Sequence, residues 1–429
     1  MIVNLEVASV LSQMLDRGEL EQVLAHARSI SHELSIHPGL NGVGLFIPQL
    51  DELMLRASKG LVQLPSGPAH KDSMVHVATE VYETGGHTRV IEDIVRAFPQ
   101  CRHTLILTDV ADNYLGNRLH LGFLKERYEA LGLEVVYLKK SSLTARAQEC
   151  ATLLREFAPQ AIFLFAHHFD TVANAAISGQ SAPRVLYVHH CDHNPGLGAT
   201  RSDYIHLDVS PPAHELCKSI PALSPIFLGL SIADSGRVAA AADRAGLVGV
   251  TCATAYKYTG RCEFSYAEFL AAMFAEGVEK LFHIGEVPQA QQDQIRAEIR
   301  ALRQDERRIE FVGNVPSLAQ SLKQIAPDFF LCSYPVGGGK AMIEAMSVGL
   351  PTISPRAPTT LPLICADLSM GVSLTIEKLE EVPAAFKKLR AEKQELGERN
   401  REMFDRHYSM TAFHRKLSEL ILNEGTSAQ

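Results

Sequence analysis

Between Met74 and Pro355 the sequence alternates short apolar runs with helical stretches, and this alternation limits the possible fold more than any other feature. The runs "MVHVA", "TLILTDV", "EVVYL", "AIFLFA", "RVLYVHH" and "YIHLDV" are separated by stretches such as "TRVIEDIVRAF" and "TARAQECATLLREF". Strands that read as nearly continuous apolar segments are buried on both faces, so the pattern predicts a parallel sheet covered by helices on either side. The small-residue segment "LGLSIADSGRVAAAADRAGL" (Leu228 to Leu247) interrupts it, after which "VGVTCATAYKY", "EKLFHIGEV", "RIEFVGNV", "DFFLCS" and "PTISP" resume it. Two α/β domains are expected, at 71–240 and 241–395. Before them, residues 1–70 show helical periodicity (Leu20, Val23, Leu24, Ala27), with a possible strand only at "GVGLFIP". From Ile376 the chain is charged and almost wholly helical, ending in a tail at 396–429.

Length agrees with this division, because 429 residues exceed what one core usually spans. No apolar run approaches the roughly 20 residues of a membrane helix, so no integral membrane segment is expected. The start of the chain, with Glu6 and Asp16, is unlike a secretory signal, and a cytoplasmic address is expected. Eight cysteines scattered without a C-x-x-C pair point to reduced core thiols rather than a disulfide frame or zinc knuckle. A formal charge of −8 excludes a nucleic-acid partner, since phosphate backbones need a basic surface. Oligomeric state is left open.

Parallel sheets bind ligands at the carboxyl ends of their strands, and a cleft forms where two such edges face each other. The segment "YPVGGGKAMIEAMSVGLPTI" (Tyr334 to Ile353) stands at such a place, reading as strand, glycine loop, helix and second strand. Gly337, Gly338 and Gly339 allow backbone N–H groups to approach an anion, and the first turn of the next helix, at Lys340, adds unpaired donors and the positive end of a dipole. A little over one turn further on, Glu344 could accept hydrogen bonds from both hydroxyls of a ribose carried by that phosphate. The competing reading is a tight turn followed by a Lys340–Glu344 surface pair worth about 0.2 to 0.5 kcal/mol.

A glycine loop, a helix containing Glu-Ala-Met, and then Gly-x-Pro with a short strand resembles the nucleotide-sugar site of GT-B fold glycosyltransferases, of the family 4-like and protein N-glycosyltransferase-like kinds. The resemblance implies two Rossmann-like parallel-sheet domains facing a cleft. It also implies a nucleoside-diphosphate sugar, UDP-sugar foremost, as co-substrate, and neither a cofactor nor a metal. Retaining members carry a second glutamate eight positions before the Glu-Ala-Met glutamate, where this chain has Val336. The departure keeps Glu344 as ribose ligand and moves the chain from the retaining members toward inverting relatives. Among these are the cytoplasmic protein glycosyltransferases of the high-molecular-weight-adhesin type, which also have a helical N-terminal extension.

Other strand ends take roles in the same frame. Lys257, with Arg261 beside it in "ATAYKYTGR", matches the cation that GT-B enzymes place on the sugar diphosphate; both are otherwise ordinary loop cations. Val315 in "FVGNV" falls in a loop resembling the one that contacts the base through backbone atoms. Gly85 and Gly86 in "ETGGHTRV" match the glycine-rich first loop, with Thr88 as a capping hydroxyl. His87 there reads either as a base toward the acceptor or as a structural cap.

In "YVHHCDHNPGLG", adjacent residues of an extended segment point opposite ways, so His189, His190, Cys191, Asp192 and His193 are not read as a metal cluster. Asp192 beside His193 is read as an orienting carboxylate for a basic imidazole. His167, His168 and Asp170 form a weaker group. The chain is therefore expected to transfer a sugar to a saccharide or protein acceptor, with closure of the domains excluding water. The rivals are a sugar-nucleotide epimerase of the same fold and an inactive nucleotide-sugar-binding scaffold.

Overall fold

The computed structural model describes residues 5–37, 40, 46–61, 67–82, 86–111, 125–191, 194–238, 244–259, 263–356 and 368–422. The chain divides into two compact units, Met1–Gly229 with His414–Gln429, and Leu230–Phe413.

The first unit is built on a seven-stranded sheet in the order β3-β2-β1-β4-β5-β6-β7. Its strands are β1 (His70–Ala78), β2 (Arg102–Leu107), β3 (Leu133–Tyr137), β4 (Pro159–Phe165), β5 (Arg184–His189), β6 (Ile205–Asp208) and β7 (Ile226–Phe227). All neighbours are parallel. Every apolar run that reads as a strand in this half of the sequence is one. β1 and β4 are buried from Met74 to Ala78 and from Ala161 to Phe165, as a two-faced parallel sheet requires.

The helices Leu5–Asp16, Leu20–Ile36 and Pro48–Leu61 share this unit's core: Leu11, Val23, Leu24, Leu50 and Met54 cluster with Val75, Val77, Ile162 and Leu164 of the sheet. Two carboxylates fasten them. Glu21 accepts the N–H groups of Leu143 and Thr144 at 3.0 and 2.7 Å. Buried Asp51 accepts those of Gly198 and Thr200 at 2.6 and 2.8 Å. Most of the possible strand at 42–48 lies outside the described residues; Phe46 forms an isolated bridge with Gly196.

The second unit carries a six-stranded sheet in the order β10-β9-β8-β11-β12-β13. Its strands are β8 (Leu247–Cys252), β9 (Val278–Ile284), β10 (Ile309–Gly313), β11 (Phe329–Leu331), β12 (Thr352–Pro355) and β13 (Leu374–Ile376), again all parallel. Gly249 on β8 is required by space: a Cβ there would lie 2.4 Å from the Phe329 ring of β11. The long helix Val382–Met403 buries Val382, Phe386, Leu389 and Leu396, so one face of this charged segment belongs to the core. After a π-helical turn at Phe404–Tyr408, the helix Met410–Leu422 rejoins the first unit, where Lys416 donates to the Leu228 carbonyl at 2.8 Å and Arg184 to that of Leu420 at 2.9 Å. Among the described residues no helix is long and apolar enough to cross a membrane, and no disulfide joins the six described cysteines.

In each sheet the strand order reverses once, between β1 and β4 and between β8 and β11. Beside such a reversal the loops leave in opposite directions and open a crevice at the carboxyl ends of the strands.

Candidate functional site

At the β8/β11 reversal, the strand ends bring together residues far apart in sequence. After β8 the chain makes a short 3-10 turn, Ala255–Tyr258, and Lys257 points its Nζ at the Gly337 carbonyl, 2.8 Å away. In return the Val336 N–H donates to the Lys257 carbonyl at 3.3 Å. The glycine loop is thus tied to the end of β8 at two points. Ser333, at the end of β11, donates its hydroxyl to the Val336 carbonyl at 2.8 Å and closes the loop from the other side.

None of Gly337, Gly338 and Gly339 lies in the left-handed region. Their small size serves space instead: a Cβ on Gly338 would stand 3.1 Å from Ser333 Oγ, and one on Gly339 2.7 Å from a Leu368 methyl. The helix Gly339–Ser347 begins directly after them, with Gly338 as N-cap and no side chain capping its first turn. The start of a helix carries the positive end of the helix dipole, which favours an anion.

Glu344 is half-buried on this helix. Burial raises its pKa above the usual carboxylate range, and Lys340 together with the Ala319 backbone N–H pulls it back only in part. Ala319 lies in the first turn of the helix Leu318–Ile325, which follows β10 through the loop containing Val315. Cys252, the last residue of β8, sits beside both Glu344 and Lys257, and burial with the nearby carboxylate pushes its thiol up to about 11. Lys257, Lys340, Glu344 and the three glycines thus form one constellation, with half-buried Val315 on the adjoining loop. Arg261 lies outside the described residues. Cys252, Ser333 and Ala319 went unread in sequence; a cysteine or serine at a strand end carries no signal until its partners are known.

The β1/β4 reversal is made differently. His87, on the first turn of the helix Gly86–Ala97, is 8% exposed, and its Nε2 lies 3.0 Å from the Glu80 carbonyl. Around it stand His167 after β4 and His190 after β5, with ring centroids 5.4 and 4.9 Å from His87 and 5.6 Å from each other. His167 Nδ1 is 3.4 Å from a Glu80 carboxylate oxygen, which also accepts from the Tyr82 hydroxyl. Desolvation holds all three imidazoles below the ordinary histidine pKa, His167 at about 4, so they are neutral near pH 7.

Gly85, Asp192 and His193 lie outside the described residues, and Gly86 is the exposed first residue of its helix. The Thr88 hydroxyl accepts the Tyr82 N–H at 3.0 Å, so it fastens the loop before the helix rather than the helix's own first turn. The group read as His167, His168 and Asp170 is divided. Asp170 caps the helix Thr171–Ala176 through the Ala173 N–H and accepts the Thr79 and Thr108 hydroxyls at 2.7 and 2.6 Å.

The alternation at His189 and His190 is as expected for a strand end, but each ring finds distant partners. His190 joins His87 and His167, while His189 Nδ1 lies 3.3 Å from both Asp208 Oδ1 and Cys217 Sγ. These groupings went unread because their members come from separate strand ends.

No protein-family model and no curated protein matches the sequence. Solved structures do match the fold. A lipopolysaccharide outer core galactosyltransferase, WaaB, in its apo form superposes with a TM-score of 0.59 at 15% identity, over 82% of this chain and 99% of that one. A mutant O-GlcNAc transferase of Thermobaculum terrenum gives 0.55 at 16%, over 96% and 81%. HepE of Anabaena in complex with UDP gives 0.55 at 12%, over 81% and 98%. With its two parallel-sheet units and these structural neighbours, the chain has the GT-B fold.

Proposed function

We propose that the protein transfers a sugar from a nucleoside-diphosphate donor, a UDP-sugar foremost, to a saccharide or protein acceptor. The observation that carries this reading is the Lys257 ammonium, 2.8 Å from the glycine loop at the uncapped start of the helix that bears half-buried Glu344. A cation and helix-start N–H groups suit a diphosphate, and a carboxylate further along the helix suits the ribose attached to it. Complexed UDP in HepE, a protein of the same fold, supports the choice of donor.

In the proposed reaction an acceptor hydroxyl or amide attacks the anomeric carbon and the bond from that carbon to the diphosphate oxygen breaks. The leaving diphosphate takes up the electron pair, and Lys257, assisted by Arg261 and the N–H groups at Gly339 and Lys340, stabilises its charge with no metal at that position. Glu344 holds the ribose, backbone atoms near Val315 face the base, and Gly85 and Gly86 approach the sugar. The acceptor's proton goes to His87 or to the Asp192 and His193 pair. We assign the protein to the cytoplasm, in keeping with eight cysteines scattered without a C-x-x-C pair.

Thermal unfolding measured against a panel of sugar nucleotides tests the donor, since a ligand that binds only the folded state raises its melting temperature. A UDP-sugar is expected to raise it in the wild type and much less in Lys257→Ala. Product masses then separate transfer from epimerisation. Binding without sugar release under any acceptor would mean the scaffold reading, which Val336 in the place of the second glutamate favours. Equal shifts in wild type and Lys257→Ala would remove the site assignment.

A further inference from the structure

We propose that His87, His167 and His190 together hold a divalent transition-metal cation of the zinc class, with Glu80 orienting the ligands. One ring nitrogen from each histidine lies within 4.8 Å of the other two. Zinc–nitrogen bonds of about 2.0 Å in a tetrahedron place ligand nitrogens about 3.3 Å apart, so small side-chain rotations bring the three rings into bonding distance.

The hydrogen bonds around the rings are those a metal site needs. A ligating imidazole usually gives its other N–H to a carbonyl or carboxylate, which fixes the tautomer and aims the lone pair at the metal. Each of the three rings has such an acceptor: His87 Nε2 at the Glu80 carbonyl (3.0 Å), His190 Nδ1 at the Val188 carbonyl (3.2 Å) and His167 Nδ1 at the Glu80 carboxylate (3.4 Å). His190 Nε2 is left buried with no hydrogen-bond partner. An aromatic wall keeps the rings in place, with Tyr82 edge-on to His87 and stacked on His167, and Phe165 tilted against His190.

The neighbouring group of His189, Asp208 and Cys217 also has ligating atoms close together, but its carboxylate is already engaged by three donors. Asp208 accepts from His189 at 3.3 Å and from His214 at 3.0 Å, and also from the Cys217 thiol. His189 and Asp208 are wholly buried, which leaves no open coordination position. At the His87 group, by contrast, the adjoining Tyr82 is 39% exposed, so the group lies close to the surface. Three protein ligands with one open position is the arrangement of a reactive rather than a purely structural zinc site. In the loaded protein His87 would have no lone pair left for a proton, so it would hold the cation and not serve as the acceptor's base.

The test uses the full chain, stripped with EDTA, dialysed and titrated with Co2+ or Zn2+ alone. One equivalent per chain is expected to bind, with the visible bands of tetrahedral cobalt and no thiolate-to-cobalt charge-transfer band. His190→Gln and His167→Gln are each expected to lose that binding, and Glu80→Gln to weaken it about 10- to 100-fold. Cys217→Ser is expected to bind as the wild type does. Absence of a stoichiometric site, wild-type binding in either histidine variant, or a charge-transfer band abolished by Cys217→Ser would each overturn the proposal. Should one histidine variant fail to fold by circular dichroism, the other decides, together with the cobalt spectra of wild type and Cys217→Ser. None of these readouts depends on sugar transfer, so the proposal and the proposed function fail separately.

Discussion

The two strand-order reversals of this chain are made of opposite materials. At β8/β11 the working parts are backbone: a glycine loop tied to Lys257, an uncapped helix start, and one carboxylate. At β1/β4 they are rings, with three imidazoles, a tyrosine and a phenylalanine packed against one another around Glu80. A surface of N–H groups accepts an anion and leaves side chains free for packing. A surface of neutral imidazoles offers lone pairs, which suit protons and metal ions. The same fold thus presents two different chemistries at equivalent places.

The largest expected effect concerns the units as wholes. Burial holds His76, His103 and His206 of the first unit below the ordinary histidine pKa, His206 at about 4. His76 and His103 also face each other at 3.1 Å, so both cannot carry a proton. Among the described residues of the second unit, only His283 is held down, again to about 4. Each such ring is neutral when folded, and as pH falls from about 6.5 toward 4 the unfolded chain binds protons that the folded chain refuses. Stability is lost through that window, roughly 3 kcal/mol for a ring held down to about 4. Hydrogen exchange compared at pH 7 and 4.5, corrected for intrinsic rates, should show protection falling more in β1, β2 and β6 than in β8 and β9. An equal fall in both sheets would break the comparison.

Next in size is Lys257→Met. Removing a preorganised cation from a developing negative charge costs about 10²- to 10³-fold in turnover. The variant also loses one hydrogen bond to Gly337, about 1 kcal/mol, so its melting temperature should fall only slightly while kcat/KM for the donor collapses. A large fall in stability with unchanged turnover would make Lys257 a loop fastener and nothing more.

How legible each site was follows from its material. A backbone site needs consecutive glycines and a helix start, so "VGGGKAMIEAM" shows it within a dozen residues. A ring site assembled from Glu80, His87, His167 and His190 spans more than a hundred residues, and each histidine alone reads as an ordinary core or loop residue. The strands were legible for a related reason: a parallel strand buried on both faces is an apolar run, as in "AIFLF" and "RVLYV". β7 and β13, at two and three residues, are too short to carry a pattern. The alternation of strand side chains did predict that His189 and His190 diverge. What it lacked was their partners, because Cys217 and His167 reach them only through the order of strands in the sheet.

Glu344→Gln comes third and should separate function from stability. Hydrogen bonds to a charged group contribute about 1.5 to 3 kcal/mol, so donor affinity should drop by about 10- to 100-fold. Stability should move the other way. The Glu344 carboxyl is held above its usual range, so its contribution to folding is full below pH 4.5 and is lost as pH rises through the raised value. As pH rises the wild type has to ionise a half-buried carboxyl, which the glutamine variant does not. Melting temperatures should therefore favour the variant at pH 8 and converge toward pH 4.5. A variant less stable at pH 8 would place Glu344 among the structural ion pairs and weaken the contrast between the two reversals.

The smallest effect belongs to Lys340→Ala, and it decides between the two readings of this helix. Were Lys340 and Glu344 only a surface pair, the change would cost about 0.2 to 0.5 kcal/mol of stability and leave donor binding alone. In the proposed site, Lys340 has a second effect, since its charge is one of the two influences that pull the Glu344 pKa back toward the ordinary range. Without it the carboxyl becomes harder to ionise, and the pH at which donor affinity is half-maximal should move upward. Any loss of donor affinity should be larger at pH 6 than at pH 8. Calorimetric titration of UDP at both pH values reads this directly, and a loss of equal size at both would mean that Lys340 acts on the phosphate itself rather than through Glu344.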